Sequence, residues 1–465
     1  MMDLFEAAVA TAGAALGGNP TFAGVSTDSR SIAASELFVA LKGDRFDGHE
    51  FVSAAAARGA CAAMVGESWW EKRRRDADAP PLPLLVVADT RRALGALAAQ
   101  WRARFDPALI AVTGSNGKTT VKEMCAAILR AWLHAQGLDA ALAVLASTGN
   151  LNNEIGLPLT LLRLRRSHRA AVVELGMSHP GEIATLARIA RPGVAVVTNA
   201  QRAHLAGLAS LSEVAREKGE LYRALPPEGT AVINADDTFA GYWSGVAGAR
   251  RVLSFGIEKK ASVSARWTPK GLSSVVELST PLGGAQLTLR VPGAHNVRDA
   301  LAAAAAGIAA GAPLAALVAG LEGFGGVPGR LRPRAARGGA MLIDDTYNAN
   351  PDSVRAAIDV LSATTGRKIL VLGDMGEIGE ASGQYHDEVG GYAKSQGVDR
   401  LFALGEHAEL AARNFGAGGG HFRKFEDLVA ALLPELASGT TVLVKGSRFM
   451  RMERVADAIA AQEGE

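Results

Sequence analysis

The sequence predicts an α/β fold built on parallel sheets. The first ground is a set of Val/Ile/Leu-rich runs, each closing on a polar residue or glycine and each followed by a helical pattern: residues 109–113, 171–174, 194–198, 341–344, 369–373 and 441–445. Near-continuous apolar strands with helices between them suit sheets covered on both faces. The second ground is length. At roughly 150 residues per domain, 465 residues suggest about three domains, each able to bury its own core, with two not excluded by length alone. In such sheets ligands sit at the carboxyl ends of strands, so the polar residues closing these runs are where chemistry is expected.

Taken in order, residues 1 to 105 mix short strand-like runs (37–41 and 84–87) with Ala-rich helical stretches, and form a small α/β domain. Residues 66–83 carry Trp69, Trp70, the basic run Lys72-Arg73-Arg74-Arg75 and three prolines, a composition that predicts an exposed loop. The parallel-strand pattern starts near Ala108 and defines a central domain over 106–326. Between about Arg251 and Pro292 the helices give way to alternation, which predicts antiparallel strands added to that domain. The glycine-rich stretch 323–329 marks a hinge to a third domain, 327–465.

Composition narrows the function. Apolar residues make up 48% and charged residues 21%, a globular balance, and Lys plus Arg (49) nearly cancels Asp plus Glu (47). No global field draws the chain onto nucleic acid or an anionic membrane. No apolar run reaches the ~18 residues of a spanning helix, the N-terminus lacks a basic then apolar leader, and Cys61 and Cys125, the only cysteines, sit in apolar stretches. A reduced, cytoplasmic protein without disulfides, membrane insertion or nucleic-acid partner is expected.

The strongest local signal is Gly114-Ser115-Asn116-Gly117-Lys118-Thr119-Thr120, between the strand 109–113 and a helix whose apolar residues Val121, Met124, Cys125, Ile128, Leu129 and Trp132 share one face. Glycines let N–H groups converge on phosphate, the helix N-terminus adds its positive end, Lys118 brings a charge and Thr119 a hydroxyl for Mg²⁺. The spacing is a shortened G-x-x-G-K-T form, since the longer pattern needs glycine at Val112. Nucleotide binding, with ATP and Mg²⁺, is the expectation. Glu174 closes one strand and His204 follows shortly after another, and both offer metal ligands, although by residue type alone a helix cap for Glu174 and a polar loop position for His204 are the favoured readings. On the same basis Lys218 is a surface helix charge.

The whole chain resembles the Mur ligase family. The resemblance rests on Ser26-Thr27-Asp28-Ser29-Arg30 with Asp44-Arg45-Phe46-Asp47-Gly48-His49, the phosphate loop, Thr148-Gly149-Asn150-Leu151-Asn152-Asn153-Glu154, Glu174-Leu175-Gly176-Met177-Ser178-His179, Glu217-Lys218-Gly219-Glu220-Leu221, His295-Asn296, Gly329-Arg330 and Asp344-Asp345-Thr346-Tyr347-Asn348-Ala349-Asn350-Pro351. It implies a ligase that uses ATP to add D-alanyl-D-alanine to UDP-N-acetylmuramoyl-tripeptide, working as a monomer. It further implies an N-terminal UDP-binding domain, a central P-loop ATPase-like domain, and a C-terminal Rossmann-like, doubly wound domain that closes over the second. By the same resemblance Thr119, Glu174, His204 and Lys218, the last carbamylated, hold Mg²⁺, and Lys118 and Arg330 act on the transferred phosphoryl group. Asn296 approaches adenine and Asp345 the ribose. Thr27, Asp28, Ser29, Arg30, Asn150, Asn152 and Asn153 hold the UDP substrate. One departure is Asp299, where the family commonly has Asn.

Overall fold

The computed structural model describes residues 1–44, 46–76, 81–202 and 210–461. Its backbone forms three sheets of five, nine and six strands in chain order, with a two-stranded ribbon at the N-terminus. Five of the six expected strand runs extend by a residue or two on one side, and all six are strands: Ala108–Thr113, Ala170–Glu174, Val194–Val197, Met341–Asp345, Arg367–Gly373 and Thr440–Lys445.

In the central sheet Ala108–Thr113 lies between Ala170–Glu174 and Val194–Val197, parallel to both, and the antiparallel strands Ser273–Thr280 and Gly283–Leu289 finish one edge. The helix Lys118–Ala135 buries Val121, Met124, Cys125, Ile128 and Leu129 completely, as the periodicity requires. It packs with Ala294–Ala309 and Leu314–Glu322 on one face of the sheet.

The other face of the central sheet joins the N-terminal domain. Helix Thr90–Arg102 starts at an Asp89 cap and sends Leu94, Leu97, Ala98 and Trp101 into one apolar cluster with Leu161, Leu186 and Ala190. The third sheet is parallel except for its edge strand Arg332–Ala335, and its two faces are covered by separate apolar clusters. This is the doubly wound arrangement the runs predict.

The expected loop at 66–83 is corrected over 66–76, while 77–80 lie outside the described residues. Gly66 ends the strand Ala62–Gly66, and Glu67–Arg73 is a helix followed by a 3-10 turn, Arg74–Asp76. Glu67 in the first turn and Lys72 and Arg73 in the last suit the helix dipole. Trp69 and Trp70 pack against the N-terminal core, and Trp69 stacks on His49 at 5.5 Å. The basic run masked an apolar face supplied by the two tryptophans.

Candidate functional site

Strand register builds the site. Glu174 pairs with Val112 and Val197 with Thr113, so Glu174 and Thr198 flank the loop that starts at Gly114. Gly114 has φ of 151°, and a Cβ there would lie 1.7 Å from Thr198 Oγ1. Gly117 has φ of 82°, and its Cβ would lie 2.4 Å from Asp299 Oδ1. Neither position admits a side chain. Residues beyond the Val194–Val197 strand hold the loop: Ser115 N–H donates to Asn199 O at 3.0 Å, Asn116 N–H to Asn199 Oδ1 at 2.9 Å, and Asn116 Nδ2 to Gln201 Oε1 at 2.7 Å. The helix beginning at Lys118 then presents first-turn N–H groups without intrahelical partners, the donors an anion needs. Lys118 folds over the loop, donating to Gly114 O at 2.8 Å and Ser115 O at 3.1 Å. Burial lowers its pKa, with Arg330 acting the same way and Glu174 opposing.

Beside the loop, Thr119 Oγ1 donates to Glu174 Oε2 at 2.8 Å and accepts from Arg330 Nη2 at 2.9 Å, while Asn152 Nδ2 donates to Glu174 Oε1 at 2.8 Å. Hydroxyl and carboxylate oxygens side by side are the hard donors a Mg²⁺ ion takes. Lys218 is 1% exposed on helix Leu211–Arg223, which overturns its reading as a surface charge. No hydrogen bond from the described residues reaches its ammonium, and burial with the nearby charge of Lys118 lowers its pKa well below the usual lysine value. Such a site favours the neutral amine that carbamylation needs. His204 lies outside the described residues. Among the described residues no group of three or more His, Cys, Asp or Glu side chains could hold a metal, so an ion here would draw on Thr119, Glu174, a modified Lys218 and His204, which lies outside those residues.

A cleft of about 920 Å³ runs from the loop to the third sheet, lined by Lys118, Glu174, Asn296, Arg330 and Asp345 among others. Arg330 enters from past the glycine-rich hinge, its guanidinium 4.2 Å from the centre of the Tyr347 ring. Asp345 and Lys445 pair across adjacent parallel strands, with Nζ to Oδ2 at 2.6 Å. Lys445 also reaches Asn348 O at 2.9 Å. Asn296 Nδ2 donates to Pro292 O at 2.7 Å. Burial pushes neighbouring His295 down to about 4 and Asp299 up to about 8.

Not every expected residue meets the cleft. Asn150, Asn152 and Asn153 line it, though Asn153 Oδ1 also caps the next helix by accepting from Gly156 N–H at 2.9 Å. Thr27, Asp28, Ser29 and Arg30 are not among its lining residues. There Arg30 donates to Asp28 through Nη2 at 2.7 Å and through its backbone N–H at 2.9 Å, a self-contained exposed turn. Sequence reasoning missed Asn199, Gln201 and Lys445 as site residues. A signal existed for all three, since they close or follow parallel strands at their carboxyl ends.

The arrangement can bind a polyphosphate on the loop, offer two cations to a transferring group and present oxygen ligands to a divalent ion. Comparison with known proteins agrees. Family models match three stretches: the Mur ligase family catalytic domain over 21–102, the Mur ligase middle domain over 112–307, and the Mur ligase glutamate ligase domain over 329–448. A relative from Escherichia coli strain K12, named UDP-N-acetylmuramoyl-tripeptide--D-alanyl-D-alanine ligase, is 42% identical over 95% of each chain. A crystal structure of MurF from Acinetobacter baumannii is 35% identical, covers 98% of each chain and superposes with a TM-score of 0.88. That of the Thermotoga maritima MurF ligase in complex with ADP is 26% identical, covers 94% of this chain and 97% of that one, and has a TM-score of 0.78.

Proposed function

This chain belongs to the Mur ligase family, and we propose that it joins D-alanyl-D-alanine to UDP-N-acetylmuramoyl-tripeptide at the expense of ATP, in the cytoplasmic stage of peptidoglycan precursor synthesis. The observation that carries the reading is the convergence of Lys118, Glu174 and Arg330 on one cleft from both sides of the hinge, with Thr119 hydrogen-bonded to Glu174 and Arg330. The relatives that match nearly full length, and bear this activity in their names, support it.

The terminal carboxylate of the tripeptide attacks the γ-phosphorus of ATP, the bond to ADP breaks, and an acyl phosphate results. The amine of the dipeptide then attacks the acyl carbon, loses a proton and expels phosphate, leaving the new amide. Lys118 and Arg330 offset negative charge on the transferring group, Arg330 through a planar fork suited to phosphate oxygens. Asn296 faces adenine and Asp345 the ribose, with Lys445 holding the Asp345 carboxylate in place. Thr27, Asp28, Ser29 and Arg30 hold the uridine end, with Asn150, Asn152 and Asn153 nearer the reacting end. A Mg²⁺ ion held by Thr119, Glu174, His204 and carbamylated Lys218 would supply further charge neutralisation. The carbamate forms when the neutral Lys218 amine adds to CO₂ and loses a proton, which turns a repelling cation into an oxygen ligand.

Phosphate release tests the proposal. With ATP, tripeptide substrate and dipeptide all present, release is expected, and omission of either acceptor or dipeptide should reduce it to background. Release that ignores the dipeptide would remove ligase activity from the account.

A further inference from the structure

Arg202 is the last described residue before 203–209, and it reaches from the central domain onto the third. Its backbone N–H donates to Asp352 Oδ2 at 2.9 Å, Nε and Nη2 donate to Asp352 Oδ1 at 3.0 and 2.6 Å, and Nη1 donates to Glu388 Oε2 at 3.3 Å. Arg355 Nη1 donates to the other Glu388 oxygen at 2.8 Å. The Arg202 guanidinium lies 5.3 Å from the Tyr385 ring centre, and that of Arg355 lies 4.2 Å from that of Tyr392. One cation of the central domain thus meets two carboxylates of the third, and Arg355 of the third domain holds the outer one from its other side. The Arg202 and Asp352 side chains are only 28% and 23% exposed, so salt screens them less than a surface pair. Alongside, Asn350 Nδ2 donates to Asn116 Oδ1 of the phosphate loop at 2.8 Å, and Asn350 caps the helix Pro351–Ser362 that carries Asp352.

We propose that Arg202 is a positioning residue that seats the third domain on the phosphate loop. It touches neither the loop nor the candidate metal ligands Thr119 and Glu174. Its effect runs through Asp352 and the helix Pro351–Ser362 to Asn350, and through the same domain to Arg330 and Asp345. Without Arg202, Asp352 and Glu388 on the third domain lose their cation from the central domain, and the joint loses the ion pairs that hold it shut. Arg330, which meets Thr119 only while the third domain is seated, then loses its place. A change at Arg202 therefore lowers kcat, whereas binding of the muramyl substrate at the N-terminal domain is untouched.

The test compares Arg202→Glu, Asp352→Arg and the double exchange in the full chain, with Asp352→Asn as a variant that keeps shape and removes charge. Two readouts are taken: the radius of gyration in solution without ligands, and kcat with the KM for the muramyl substrate. Each single reversal is expected to expand the chain and cut kcat about tenfold, with that KM within about twofold. Asp352→Asn should shift both readouts the same way by less. The double exchange, which restores opposite charges, should regain compactness and most of the lost kcat. Unchanged compactness in the single variants, or a double exchange as impaired as they are, would overturn the proposal. So would activity lost at Arg202 but kept at Asp352→Arg, since that pattern would place the effect in the neighbouring segment. The inference rests on the ligase reading only for its kinetic arm, and the scattering arm stands or fails without it.

Discussion

The two joints between domains are built from different materials. At the first, Leu94, Leu97, Ala98 and Trp101 share a buried apolar cluster with Leu161, Leu186 and Ala190, and Trp101 Nε1 donates to Leu164 O at 3.1 Å. At the second, the third domain's clusters contain no buried residue before Leu331 and take only the partly buried Leu272 from the central domain's described residues, while the crossing hydrogen bonds join Arg202 with Asp352, Asn350 with Asn116, and Arg330 with Thr119. Parting an apolar joint exposes surface at about 25 cal/mol per Å². Parting a polar one exchanges its hydrogen bonds for bonds to water, at a net ~1 kcal/mol each. The first joint therefore binds two domains more firmly, and the second is the weaker seam. The cleft lies across the seam.

The contrast can be broken most severely at the apolar joint. Trp101→Ala should cost about 3–5 kcal/mol of stability, read from denaturant unfolding, and a loss below about 1 kcal/mol would mean that the first joint is no firmer than the second. At the seam the expectation reverses. Lys118→Ala should lower ATP turnover about 10²- to 10³-fold with an unchanged unfolding midpoint, and ordinary turnover would remove the loop from the mechanism. Lys218→Arg keeps the charge and cannot form a carbamate, so kcat should fall about 10- to 100-fold. Added acetate or formate should partly restore Lys218→Ala by filling the vacated ligand position, and full activity in Lys218→Arg would end the carbamate role.

The smallest effect concerns Asp299, packed under the loop. With its carboxyl pushed up to about 8 by burial, the folded chain keeps a proton that the unfolded chain releases near pH ~4. Its contribution to stability is present below that pH and is lost as pH rises to about 8. Asp299→Asn removes this dependence, so its melting temperature should gain on the parent by a few degrees as pH is raised over that window. Parallel profiles would show that the carboxyl ionises freely in the folded chain.

The sequence disclosed these regions unequally. Strands, the phosphate loop and the apolar face of its helix were legible because period and glycine placement are local properties. The burial of Lys218 was not, since a lysine in Glu217-Lys218-Gly219-Glu220 looks solvent-facing until Leu211–Arg223 is packed. Glu217 gave no sign that its carboxylate would cap another helix by accepting from Gly181 and Ile183 N–H groups. Trp69 and Trp70 were hidden by the charge run that follows them. The seam was illegible for the same reason: Arg202 and Asp352 stand 150 positions apart, and only the folded topology brings them together.

The central claim is that chemistry at the seam forms one amide bond between tripeptide and dipeptide. Mass spectrometry of the product from UDP-N-acetylmuramoyl-tripeptide, D-alanyl-D-alanine and ATP tests it most directly. A species heavier than the tripeptide substrate by one dipeptide less one water, absent when ATP is withheld and absent with Lys118→Ala, is the predicted result. ATP hydrolysed to ADP and phosphate, with the tripeptide substrate recovered at its original mass, would contradict it.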